Sequence, residues 1–133
     1  MSGQNSQSLP VRAHILVVED DQAFGETLRR LLSREGYAVS VAADFHVALK
    51  VLEGDEPVEL LLTDVVMPDS VNGVALSRMA RLRRRDLKVL YMTGYDIPGI
   101  DREALGPILR KPVDDETLLK EIGRLLSIEP YQT

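Results

Sequence analysis

Residues 60–64 read Leu60-Leu61-Leu62-Thr63-Asp64, a short apolar run that stops on a carboxylate. A run so brief and so continuously apolar fits a strand covered on both faces, as in a parallel sheet. The same construction recurs along the chain. Ile15-Leu16-Val17-Val18 runs into Glu19-Asp20-Asp21, Val89-Leu90-Tyr91-Met92 into Thr93-Gly94, and Ile108-Leu109-Arg110 into Lys111-Pro112. A fifth apolar stretch covers Tyr37 to Ala42.

Helical periodicity fills the intervals. Phe24, Leu28, Leu31 and Leu32 recur at i, i+4, i+7 and i+8, and Gly36 supplies a stop. Asp44 is placed to cap a second helix carrying Phe45, Ala48, Leu49 and Leu52, ended by Gly54. A third runs from about Gly73 through Val74, Leu76, Met79 and Leu82. A last helix follows Asp114 with Leu118, Ile122, Leu125 and Leu126. Five strands alternating with helices predict an α/β fold, a doubly wound five-stranded parallel sheet. In such sheets functional groups gather beyond the carboxyl ends of the strands.

The chain's 133 residues suit a single domain. With no cysteine, disulfides and thiolate metal sites are excluded, which fits a cytoplasmic location. There is no apolar run of membrane-spanning length and no secretory pattern at the N-terminus, so no membrane role is expected. A net charge of −5 argues against general nucleic-acid binding. Residues 1–12, rich in Ser, Gln and Asn, read as a disordered lead-in, 13–128 as one folded domain and 129–133 as a tail.

The strand ends bring specific chemistry together. Clustered carboxylates cannot all stay ionised without a cation among them, and an all-oxygen ligand set completed by water suits magnesium, with manganese an alternative. Asp64 can act as a nucleophile, since carboxylates form aspartyl-phosphates. Lys111 can neutralise one phosphoryl oxygen, and the Thr93 hydroxyl can hydrogen-bond another.

Taken together, Val17-Val18-Glu19-Asp20-Asp21, Leu62-Thr63-Asp64-Val65-Val66-Met67-Pro68, Met92-Thr93-Gly94 and Lys111-Pro112 resemble the receiver domains of two-component response regulators. Each motif alone is weak; four in this order are specific. The stretch 88–95 is also similar to receivers of hybrid histidine kinases. The resemblance implies the flavodoxin-like receiver fold, with Asp64 as phosphoacceptor. Asp20, Asp64 and the Val66 carbonyl would be direct magnesium ligands, with Glu19 acting through water. Thr93 would be the switch hydroxyl, and Lys111 the phosphate-contacting lysine before a cis Pro112. It further implies a sensor histidine kinase or histidine phosphotransfer protein as donor, and a signalling role rather than that of an enzyme. By the same resemblance, the domain would assist its own phosphoryl transfer and dephosphorylation.

Two departures from the family pattern stand out. Ile108 occupies the position, three before the lysine, where an aromatic ring is usual. The connection between Thr93 and Lys111 is about one helical turn short and contains Pro98-Gly99, so a short or irregular fourth helix is expected there. Two alternatives compete with a stand-alone receiver. A magnesium-dependent aspartyl phosphohydrolase needs a second acid where Val66 stands; a degenerate receiver acting as a binding module would not need the intact acid set. Arg78, Arg81, Arg83, Arg84, Arg85 and Lys88 form the one basic concentration, read first as a solvated helix face and second as a surface for an acidic partner. His14 and His46 lack metal-ligand spacing and receive no role.

Overall fold

The computed structural model describes residues 11–66, 73–94 and 105–127. The strands are β1 (His14–Val18), β2 (Ala38–Ala42), β3 (Leu60–Asp64), β4 (Lys88–Thr93) and β5 (Ile108–Arg110). The helices are α1 (Gln22–Arg34), α2 (Phe45–Glu53), α3 (Gly73–Arg83) and α4 (Asp115–Leu126). All strand pairs are parallel, in the order β2-β1-β3-β4-β5. The doubly wound parallel sheet is therefore as expected. Of the lead-in expected at 1–12, Val11 and Arg12 are described, and Arg12 N donates to Gly36 O at 3.0 Å, so the ordered chain starts before residue 13. The rest of the lead-in, the tail and nearly all of the segment where a short fourth helix is expected fall outside the described residues.

Strand alternation divides the core in two. Leu16, Val18, Leu61, Val89 and Tyr91 point to the side covered by α2 and α3, while Ile15, Val17, Leu60, Leu62, Leu90 and Met92 point to the side covered by α1 and α4. The central strands β1 and β3 are buried at every residue, as their continuous apolar runs require. The edge strands differ from the expectation of burial on both faces. In β2 only Ala42 is buried, and β5 is half-exposed, because an edge strand has a neighbour on one side alone.

Helix termini follow local chemistry. The Asp21 carboxylate caps α1 by accepting from Phe24 N at 3.0 Å, and Asp44 caps α2 by accepting from Val47 N at 2.9 Å. Gly36 leaves α1 with φ +92°, a conformation open to glycine at little cost. Arg84 is not a purely solvated residue. Its guanidinium donates to the carbonyls of Leu52 at 3.1 Å and Gly54 at 2.9 Å, satisfying acceptors that the end of α2 leaves free.

The face of α3 differs from its sequence reading. Gly73, Val74, Leu76, Ser77 and Ala80 are buried, whereas Met79 is 41% and Leu82 83% exposed. Small residues at 73, 77 and 80 let the helix approach the sheet closely, which turns the large apolar pair outward. A buried serine is tolerated because Ser77 Oγ donates to Val74 O at 2.8 Å and shares a 2.5 Å hydrogen bond with the Tyr91 hydroxyl. Two substitutions separate the two faces in thermal or denaturant unfolding. Leu76→Ala is expected to cost about 2–5 kcal/mol by leaving a cavity, and Leu82→Ala less than about 0.5 kcal/mol.

Candidate functional site

Chain connections reverse direction between β1 and β3, and the carboxyl ends of these two strands form the crevice that such a reversal opens. Three acids arrive there. Glu19 N donates to Ala42 O at 3.0 Å, extending the β1–β2 ladder one residue past β1 and holding Glu19 inward, where it is buried. Asp20 follows and is exposed. Asp64 closes β3 opposite Met92 of β4 and is buried. Carboxylate oxygens of Glu19, Asp20 and Asp64 lie within 4.8 Å of one another. Asp21, the remaining acid after β1, belongs to the α1 cap instead.

Lys111 reaches this cluster from the end of β5. Its backbone N–H donates to Thr93 O at 2.8 Å, fixing the β5 exit to the end of β4, and the Lys111–Pro112 bond is cis as expected. The ammonium donates to Glu19 Oε1 at 2.9 Å and lies 2.8 Å from Asp64 Oδ1. It also sits 4.9 Å from the centroid of the Phe24 ring, a favourable cation–π distance. Glu19 Oε2 accepts from Asp21 N at 3.0 Å, so both of its oxygens are engaged. Asp64 Oδ1 is shut from solvent, and the polar group that meets it among the described residues is the Lys111 ammonium, as an ion pair.

Thr93 ends β4 one residue past Met92 and is buried. Val66 lies two residues beyond Asp64 with its side chain about half exposed. The structure thus brings Glu19, Asp20, Asp64 and Lys111 into direct proximity and places Thr93 and Val66 on the adjoining strand end and loop. Two contributors escaped the sequence reading. Phe24 counted only as an apolar helix residue, yet its ring lies beside the Lys111 ammonium. Gly73 opens α3 so close to the site that an added Cβ would lie 2.0 Å from the Asp64 carbonyl oxygen. A glycine at the first helical position nine residues past the acid was the available signal. Tyr91 pairs in register with Ile108, so an aromatic ring occupies β4 beside the position where β5 lacks one.

The electrostatics are those of crowded acids with one cation. Burial pushes the Asp64 carboxyl up to about 6; Lys111 opposes this, and the charge of Glu19 adds to it. For Lys111, burial disfavours the charged form, but the hydrogen bonds and charges of Asp64 and Glu19 outweigh it and hold the ammonium above its usual range. This crowding suits the addition of a cation, since three carboxylates within 4.8 Å of one another share one ammonium among the described residues.

A raised carboxyl pKa means that the folded state binds the proton more tightly than the unfolded chain does. The stabilisation from that proton is complete below about pH 4 and lost as pH rises through about 6. Metal-free Asp64→Asn, which lacks the buried charge, is therefore expected to melt above wild type at pH 7. A gain of the order of 1 kcal/mol corresponds to about 3–6 °C, shrinking towards pH 4. Differential scanning calorimetry in chelator at both pH values checks the sign.

The sequence pattern of the response regulator receiver domain matches residues 15–123. The chain is 40% identical over 123 residues to response regulator MprA of Mycolicibacterium vanbaalenii, covering 89% of this chain and 51% of that protein. It is 40% identical over 117 residues to response regulator MprA of Mycobacterium leprae, covering 84% and 50%. The chain therefore spans about half the length of these curated relatives. Among solved structures, the receiver domain of the hybrid histidine kinase CckA is 34% identical with a TM-score of 0.71, covering 85% of this chain and 98% of that one. A CheY-like receiver domain protein from Methanospirillum hungatei is 29% identical with a TM-score of 0.77, covering 86% and 94%. With the parallel sheet and the acid–lysine crevice in place, these likenesses assign the chain to the response regulator receiver domains, the phosphoacceptor signalling modules of two-component systems.

Proposed function

We propose that Asp64 is the phosphoacceptor. The observation that carries this reading is its buried carboxylate at the end of β3, crowded by Glu19 and ion-paired at 2.8 Å with Lys111. Family membership implies a histidine kinase partner; the immediate donor is a phosphohistidine on that kinase or on a histidine phosphotransfer protein. An Asp64 oxygen attacks the phosphorus, the new O–P bond forms as the N–P bond breaks, and the imidazole nitrogen leaves with the bonding pair and takes a proton from solvent. Small acyl phosphates serve the same chemistry with a carboxylate leaving group.

Asp20, Asp64 and the Val66 carbonyl are the groups that would hold magnesium or manganese, with Glu19 acting through water, and a bound divalent ion supplies charge neutralisation for the phosphoryl oxygens. Lys111 holds a second source of positive charge at the same point, fixed by Glu19 before the phosphoryl group arrives. The Thr93 hydroxyl supplies a donor that a phosphoryl oxygen rewards more than a carboxylate does. Reversal by hydrolysis uses the same groups: water attacks the phosphorus, and the Asp64 carboxylate leaves with the bonding pair, releasing inorganic phosphate.

The output is a phosphorylation-dependent protein contact in the cytoplasm, made without nucleic acid or membrane. No described helix is long and apolar enough to cross a membrane. Val66, where an aspartyl phosphohydrolase carries its second acid, removes support for that alternative. The intact acid set and Lys111 weigh against a degenerate receiver acting only as a binding module.

Intact-mass spectrometry after treatment with acetyl phosphate and magnesium tests this assignment. One phosphoryl adduct is expected on wild type, with none on Asp64→Asn and little when a chelator replaces magnesium. An undiminished adduct on Asp64→Asn would remove Asp64 from the role.

A further inference from the structure

The outward face of α3 combines two features that a solitary domain does not need. Leu82, at 83% exposure, stands at its centre, with Met79 at 41% on one flank. On the other flank of the helix lie exposed Arg78 and Arg81, and exposed Arg85 follows in the turn two residues past its end. Arg81 Nε is held by Leu87 O at 3.3 Å. Arg83 is paired with Glu53 at 3.7 Å, and Arg84 caps α2. Arg78 and Arg85 have no ion pair among the described residues, and exposed Asp86 follows Arg85 in the chain. A chain with net charge −5 thus carries a local basic field around an exposed apolar centre.

We propose that this face of α3 docks an acidic amphipathic helix of a partner protein. The partner's apolar stripe covers Leu82 and Met79, and its carboxylates face Arg78, Arg81 and Arg85. Methionine and leucine at i and i+3 have the spacing at which an amphipathic partner helix is anchored, while exposed arginines at the rim set orientation and speed of encounter. Nucleic acid fits less well. A phosphate backbone gains nothing from an apolar centre, no aromatic ring stands on α3 to stack a base, and the overall charge repels it. A second copy of this chain is disfavoured because two copies of the patch would oppose arginine to arginine.

The contact lies apart from Asp64 chemistry, so it is measured on unphosphorylated protein and on Asp64→Asn alike. The probe is a synthetic helical peptide with leucines at i, i+3, i+4 and i+7 and glutamates elsewhere, beside a counterpart with lysines in place of glutamates. Titration into isotope-labelled protein is expected to shift the amides of residues 78–85. Affinity should fall about tenfold or more in Leu82→Ser, in Arg78→Glu/Arg85→Glu and in high salt. These positions are exposed, so unchanged melting temperatures are expected to accompany the losses. Four results would overturn the proposal: equal binding of the lysine peptide, shifts confined to another face, stronger competition by single-stranded RNA than by the glutamate peptide, or self-association through this face in sedimentation.

Discussion

A carboxylate buried beside another carboxylate is the constraint from which the rest of the structure follows. Asp64 and Glu19 share the end of a crevice whose walls are otherwise apolar strands, and two such charges in a dry site are tolerated only with a cation between them. Lys111 is that cation. Its position needs β5 beside β4, the hydrogen bond from its own backbone to Thr93 and the ring of Phe24 behind it. Glu19 in turn needs the β1–β2 ladder to continue one residue past β1. The site is a product of the sheet's register rather than of any loop alone.

The arrangement is deliberately incomplete in charge. One ammonium against Glu19, Asp20 and Asp64 leaves negative charge in excess, and burial, with the charge of Glu19 adding to it, pushes the Asp64 carboxyl towards its neutral form. A divalent ion would relieve that excess, and a phosphoryl group would then meet a site already arranged for its oxygens. The stability lost by crowding the acids would thereby be converted into affinity for those groups.

Legibility from sequence followed physical specificity. The central strands were readable because burial on both faces demands an unbroken apolar run, which Ile15 to Val18 and Leu60 to Leu62 display. The acids and Lys111 were readable because few chemistries place such residues at the ends of successive strands. The orientation of α3 was not. Met79 and Leu82 fit a helical apolar spacing, but the close approach permitted by Gly73, Ser77 and Ala80 decides which face turns inward, and that depends on the shape of the sheet surface. Arg84 was misjudged for a related reason: its partners are carbonyls thirty or more residues away in the chain, which no local pattern displays. Phe24 shows the same limit, since its ring serves the core and the site together.

The central claim is that the acid at the end of β3 carries the phosphoryl group. Borohydride reduction converts an aspartyl phosphate to homoserine, and peptide mapping of the reduced protein after phosphotransfer from a phosphohistidine donor locates the change directly. Homoserine at position 64 is the predicted result. Homoserine at position 20 or 21, or a phosphoryl group that survives reduction on another residue type, would contradict it.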